Sequence, residues 1–311
     1  MGRPGVTATI ARSGGRSIFA PVTRRERAEN FESFLLYRQR KNGELFESER
    51  ALAEKQKVLA RFRERAVRSR RPLPAPERFY RNYVVMRDDP RTLDRTTLLL
   101  TFLYKFARHE WVGISAAWDA TPTYADSAYV TDKISRYHLA EEFGHMRLFH
   151  EMLQTFGLDR VEWIPLAPWV KKAYELFTVM PPALMASAAF VSELMGFTVY
   201  LHLDQHLDTI LADEPEARER VRALLHEIAG DELGHVGLRR NYLGPVGRRV
   251  AKGMVGPMFR GFLRSMPESA LLFDVHRMVK DAQGFDYDTI PPHLLRDAWV
   301  PSYFRERTFA G

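Results

Sequence analysis

Apolar positions recur with a helical period along almost the whole chain. "GELFESERALAEKQKVLARFRERAVR", Gly43 to Arg68, is built from strong helix formers and reads as one helix. "RRPLPAPERF" breaks it with two prolines. Four long helices are predicted after it. They run from about Thr92 to Ala120, from about Ala125 to Phe156, from about Ala183 to Leu211, and from Pro215 to Tyr242. Gly157 ends the second, Pro215 suits the first turn of the fourth, and "LGPVG" stops it. "PLAPWVKKAYELFTVMPP" reads as a proline-bounded short helix. The tail reads as two shorter helices and an irregular end with "IPP" and "WVPSYF". No segment alternates convincingly with a β period, and no solenoid-type repeat is present. Helices of about 28 residues would be about 40 Å long, which predicts an all-α fold around a large four-helix bundle.

The third long helix poses a problem. "AAFVSELMGFTVY", Ala188 to Tyr200, is almost wholly apolar, yet Glu193 stands in its middle. Burying an unpaired carboxylate costs far more than neighbouring methyl groups return. Ala183 to Leu201 has the length of a bilayer span, but a central acid costs about 2.5–3.5 kcal/mol on insertion. No second span accompanies it, and a helix apolar on all sides is equally expected at the centre of a bundle. The bundle is the reading adopted, and no membrane span is expected.

Two of the long helices carry the same step. "AEEFGHMRLFHEML" holds Glu142 and His145, and "AGDELGHVGLRRNY" holds Glu232 and His235. Residues three apart share a helix face, so each pair presents a carboxylate and an imidazole to one point. The other two long helices each offer one acid in apolar company, Glu110 and Glu193. Glu, Glu-x-x-His, Glu, Glu-x-x-His is the ligand order of a carboxylate-bridged pair of iron or manganese ions in a bundle core. Glu193 then has a divalent ion as its countercharge.

Neighbouring residues extend the pattern. Asp231 and Glu141 directly precede the two motif glutamates. Asp231 is placed to accept the second N–H of His145, and Glu141 that of His235. Solvent-facing helix acids are the alternative reading of both. His138 lies four residues before Glu142 on the same face, either as a seventh ligand or as a packed histidine. Trp111, Ile114, Phe197, Phe106 and Leu139 sit about one turn from the ligands and could line an apolar substrate pocket. Ordinary core packing is the alternative for each. His150, His202, His206 and His226 fall off the ligand face.

Composition narrows the chemistry. The chain has 311 residues and no cysteine, which excludes disulfides, thiolate zinc sites and cysteine-ligated iron–sulfur clusters. That fits a reducing compartment, and a cytoplasmic location is expected. The net charge is +7, from 46 Lys+Arg against 39 Asp+Glu. "RFRERAVRSRR", Arg61 to Arg71, holds six arginines and one glutamate. It reads as a solvated helix end or as a docking patch for an acidic partner such as a carrier protein or a ferredoxin. Nucleic acid is not expected, because no aromatic residue after Phe62 interleaves with the arginines. Residues 1–25 are acid-free and lack an apolar h-region, which excludes a secretory signal and leaves a disordered tail or a transit peptide. The expected organisation is a tail over 1–25, an N-terminal helical extension over 26–89, the bundle over 90–242 and a C-terminal helical extension over 243–311. There is no phosphate-binding loop and no nicotinamide or flavin motif.

"EEFGH" and "IAGDELGH" resemble the EExxH and DExxH signatures of the ferritin-like di-iron carboxylate superfamily. Acyl-carrier-protein desaturases, the ribonucleotide reductase small subunit and the arylamine N-oxygenases belong to it. The resemblance covers roughly residues 90–242. It implies a ferritin-like four-helix bundle with additional N- and C-terminal helices. It also implies two iron ions, or a manganese–iron pair, held by Glu110, Glu142, His145, Glu193, Glu232 and His235. O2 is the implied co-substrate. Because no nicotinamide or flavin motif is present, an external ferredoxin or reductase is expected as electron donor, and a homodimer is the expected assembly. Two positions depart from relatives. Phe149 stands where the reductase subunit has its radical tyrosine. Ile228 stands where the N-oxygenases add a third histidine, and the extra histidine here is His138 on the other motif helix. The expected function is an O2-activating monooxygenase that hydroxylates carbon or oxidises nitrogen in a small organic substrate. The alternatives are a desaturase of a carrier-bound acyl chain and a metal-binding ferroxidase without organic substrate.

Overall fold

The computed structural model describes residues 17–170, 172, 176 and 182–304. The short helix expected between the prolines lies largely outside the described residues. The described helices are α1 (Arg24–Asn42), α2 (Ala53–Glu64), α3 (Pro76–Asn82), α4 (Arg95–Ala120), α5 (Val130–Thr155), α6 (Pro182–Ile210), α7 (Pro215–Asn241), α8 (Pro245–Arg264), α9 (Ser269–Leu272), α10 (Val275–Gln283) and α11 (Pro292–Asp297). The fold is all-α apart from one small hairpin, β1 (Leu45–Phe46) and β2 (Ala51–Leu52).

Local chemistry sets the helix starts. Thr23 and Glu26 form a capping box on α1: Thr23 Oγ1 accepts from the Glu26 amide, and Glu26 Oε2 accepts from the Thr23 amide. α4 begins later than the pattern predicts, because the Asp94 side chain accepts from the Thr97 amide at 2.9 Å and fixes the cap there. α7 starts at Pro215, whose missing N–H costs nothing in a first turn.

The single helix expected over Gly43–Arg68 is not formed. Gly43 turns the chain out of α1 at φ +70°, and Arg50 adopts φ +50° in the hairpin turn. Leu45 pairs with Leu52 and Phe46 with Ala51. Burial of Ala51 and Leu52 outweighs the helix preference of the surrounding residues. The hairpin is also tied to α5: Arg136 reaches Glu47 at 2.6 Å, and Arg147 donates to the Glu49 carbonyl at 2.7 Å. α2 then ends at Glu64, short of the expected Arg68. The C-terminal region differs too, since α8 is a full 20-residue helix with Pro257 inside it. Of the expected tail, residues 1–16 lie outside the described residues. Ile18 and Phe19 are buried, and Arg240 donates to the carbonyls of Ile18 and Ala20.

The four long helices pack in sequence around a common core: α4 on α5, α5 on α7, and α7 on α6, while α4 and α6 meet at few positions. α1 lies across α5 and α7, α2 covers α5, and α8 covers the outer side of α6. α6 is therefore enclosed from two sides, which explains its apolar surface all round. Its Met185–Ile210 stretch is the one described segment long and apolar enough to cross a membrane, yet 67% of its window is buried within the protein. Phe190, Leu194 and Phe197 are fully buried there, each contributing about 1.5–3 kcal/mol by leaving water.

Candidate metal centre

The helical period brings His138, Glu142 and His145 of α5 onto one face. α7 faces them with Glu232 and His235, and α6 contributes Glu193. The Glu142 carboxylate sits at the centre. Its Oε1 lies 3.0 Å from His235 Nδ1 and 3.2 Å from His138 Nε2, and its Oε2 lies 3.1 Å from His145 Nδ1. Glu232 repeats the arrangement, with Oε1 3.2 Å from His145 Nδ1 and Oε2 3.8 Å from His235 Nδ1. Glu193 completes one side, 3.4 Å from His138 Nε2 and 3.9 Å from His235 Nδ1.

Two ligand-competent groups result, and they share Glu142. One is His138, Glu142, Glu193 and His235, and the other is Glu142, His145 and Glu232. Glu110 of α4 is not in either group but lies beside the second. Its Oε1 accepts from Tyr200 at 2.7 Å, and its Oε2 is buried without a hydrogen-bond partner. Burial pushes its carboxyl well above the usual range, and the Glu232 and Glu142 carboxylates push the same way. For Glu142 burial acts upward too, but His145, His138 and His235 outweigh it and hold this carboxyl well below the usual range.

The histidines are oriented from behind. His145 Nε2 lies 3.2 Å from Asp231 Oδ2, and His235 Nε2 lies 2.8 Å from Glu141 Oε2. A carboxylate at Nε2 keeps the proton on that nitrogen and leaves the Nδ1 lone pair facing the cluster. His235 Nδ1 makes no hydrogen bond there despite its short approach to Glu142. His138 stacks on His235 with ring centroids 3.8 Å apart. Burial, then His235, push the His138 imidazole down toward its neutral form.

A layer of cations, for which the sequence carries no periodic signal, backs the two orienting acids. Arg38 of α1 is fully buried and bridges them, with Nη1 2.5 Å from Glu141 and 3.0 Å from Asp231, and Nη2 3.0 Å from the Asp231 carbonyl. Lys41 and Lys55 also pair with Asp231, and Asn42 donates to Glu141. Gly234 gives Arg38 its room, because a Cβ there would collide with Nη2. Arg239 is the other addition. It lies one turn after His235 and donates from Nε to Glu193 Oε1 at 3.1 Å. That position was open to discovery from spacing alone.

The five candidate pocket residues belong to, or pack against, the main hydrophobic core. Phe106 packs on Tyr200 and Phe262, and Phe197 packs on Phe285 of the C-terminal region. Ile114 and Leu139 are buried, and Trp111 is half-buried. Phe149 packs beside Tyr200, with centroids 6.2 Å apart. Among the other histidines, His202 pairs with Asp281 and His226 with Asp204, away from the cluster.

No family model, curated protein or solved structure matches the chain, so its residues alone speak for it. They define an all-α protein with a buried carboxylate–imidazole cluster that could hold metal ions. The donor set fits such a group. Unpartnered buried atoms, Glu110 Oε2 and His235 Nδ1, stand among acids whose mutual repulsion a cation relieves.

Proposed function

We propose that this protein is a ferritin-like di-iron carboxylate oxygenase that acts on a small organic substrate. Glu142 is the observation that carries the reading, since its two oxygens face different histidines. A carboxylate so placed could serve both ligand groups at once. Glu110, Glu142, Glu193, Glu232, His145 and His235 would hold the two ions, with His138 beside His235. Bound ferrous ions supply the electrons that activate O2, and oxygen and imidazole donors suit iron or a manganese–iron pair.

The chain's own residues do the rest. Asp231 and Glu141 fix the histidine tautomers. Arg38, Lys41 and Lys55 offset the charge of those two acids, and Arg239 adds a positive charge at Glu193. Phe106, Phe149 and Ile228 exclude water around it. Monooxygenation needs an external electron donor, such as a ferredoxin or reductase, and a cytoplasmic homodimer fits the reading.

Metal analysis tests it. The protein should hold about two iron or manganese ions per chain, and Glu142→Ala should lose both. The ferrous form should consume O2 and convert a member of an amine and hydrocarbon panel. A protein that binds no metal sinks the proposal. O2 consumption without an organic product would move it to the ferroxidase class.

A further inference from the structure

A second concave site lies away from the cluster. A groove of about 670 Å3 runs between α2 and the N-terminal half of α7. That is the size of a small-molecule site, which typically spans about 300–1,000 Å3. Val58, Phe62, Val67, Pro215 and Ala223 give it an apolar lining.

Its charges do not cancel. Two lining acids already have a cation, Glu216 with Arg70 at 2.7 Å and Glu219 with Arg222 at 2.7 Å, while Glu227 only shares Lys55 with Asp231, at 4.0 Å. Arg61 and Arg65, one turn apart at the end of α2, are exposed and have no side-chain partner among the described residues. Arg220 is the third cation. It is 7% exposed, its guanidinium lies 4.8 Å from the Phe62 ring centroid, and its buried Nε has no hydrogen-bond partner. Its carboxylate, Glu151, stands 3.5 Å away and is shared with Arg63 at 2.7 Å. A solvated helix end explains Arg61 and Arg65 but not a buried, under-partnered Arg220 beside an aromatic ring. Leaving a buried donor unpaired costs about 1–3 kcal/mol, which a ligand acceptor would recover.

We infer that this groove binds an amphipathic organic carboxylate. Its head group lies against Arg220, with Arg61 and Arg65 beside it, and its apolar body lies along Phe62 and Val58. The charge-assisted hydrogen bonds supply orientation, and the apolar lining supplies most of the buried area. The inference does not depend on the metal cluster.

Calorimetric titration of the full-length protein with decanoate, below its micelle concentration and at low salt, tests it. Saturable binding of one decanoate per chain is expected. The Arg61→Ala/Arg65→Ala variant should bind about tenfold more weakly or worse, and decanol should be similarly weak on the parent protein. Lys57→Ala, on the same helix but outside the groove, should leave binding unchanged. Both variants alter exposed residues, so their circular dichroism should match the parent, and their metal content should too. Absent saturation, decanol binding equal to decanoate, or a double variant that binds like the parent overturns the inference. Tighter binding of a hexaglutamate peptide than of decanoate also overturns it, and makes the groove a seat for an acidic protein surface.

Discussion

His235 and Glu141 stand 2.8 Å apart through Nε2, while Nδ1 of the same ring lies 3.0 Å from Glu142. One imidazole thus links an outer acid to an inner one, and its orientation depends on the outer bond. Glu141→Gln keeps the shape but removes the charge that fixes the tautomer. Metal affinity should fall about 10- to 100-fold with secondary structure unchanged. Competition titration with a chelating dye reads the first, and far-UV circular dichroism the second. Unchanged affinity would remove Glu141 from the centre.

Arg38 should matter more to folding than to affinity. It is the cation shared by two fully buried acids, and Arg38→Met leaves them under-compensated. Breaking a buried pair in this way costs about 3–5 kcal/mol. Gly234→Ala should destabilise the parent by about 1–3 kcal/mol through collision with Arg38. On the Arg38→Met background the same change should stabilise by up to about 1 kcal/mol, the usual gain of Ala over Gly inside a helix. Urea unfolding of the four proteins gives the coupling. Additive effects would mean that the guanidinium does not occupy the space over Gly234.

These two predictions also show what was legible in the sequence. The Glu142–His145 and Glu232–His235 steps are local, so helical spacing alone puts each pair on one face. Glu193 is legible because nothing else accounts for a carboxylate amid Phe190, Val191 and Phe197. Arg38 is not legible, because its partners lie 103 and 193 residues away and an arginine on a charged helix looks solvated. The hairpin at Leu45–Leu52 is hidden for a different reason. Its composition favours helix, and only packing against α5 reverses that preference.

Arg239 should weaken metal binding in the parent protein. Its Nε holds Glu193 Oε1 at 3.1 Å, so its charge opposes a cation at the oxygen it occupies. Arg239→Gln should tighten manganese binding about two- to tenfold, as expected for removing one unit charge across a few ångströms of partly solvated protein. Glu193→Gln should weaken it, and the double variant should resemble Glu193→Gln. Equilibrium dialysis against manganese distinguishes these outcomes. Weaker binding by Arg239→Gln would mean that Arg239 instead holds Glu193 in its ligating position.

Acid should destabilise the fold through His109. Burial lowers its imidazole pKa from 6.5 to about 4, and the neighbouring Arg108 adds to the shift. Below 6.5 the unfolded chain takes up a proton that the folded chain refuses. Stability is therefore lost as pH falls from about 6.5 toward about 4 and is fully retained above that window. The loss attributable to this group is at most about 3 kcal/mol. His109→Leu removes the titrating group and keeps the packing against the Phe262 ring, whose centroid lies 5.0 Å from that of the imidazole. Urea midpoints of parent and variant should diverge steadily between pH 7 and pH 4.5, with the variant falling less. Parallel curves would mean that His109 protonates in the folded protein at its ordinary pKa.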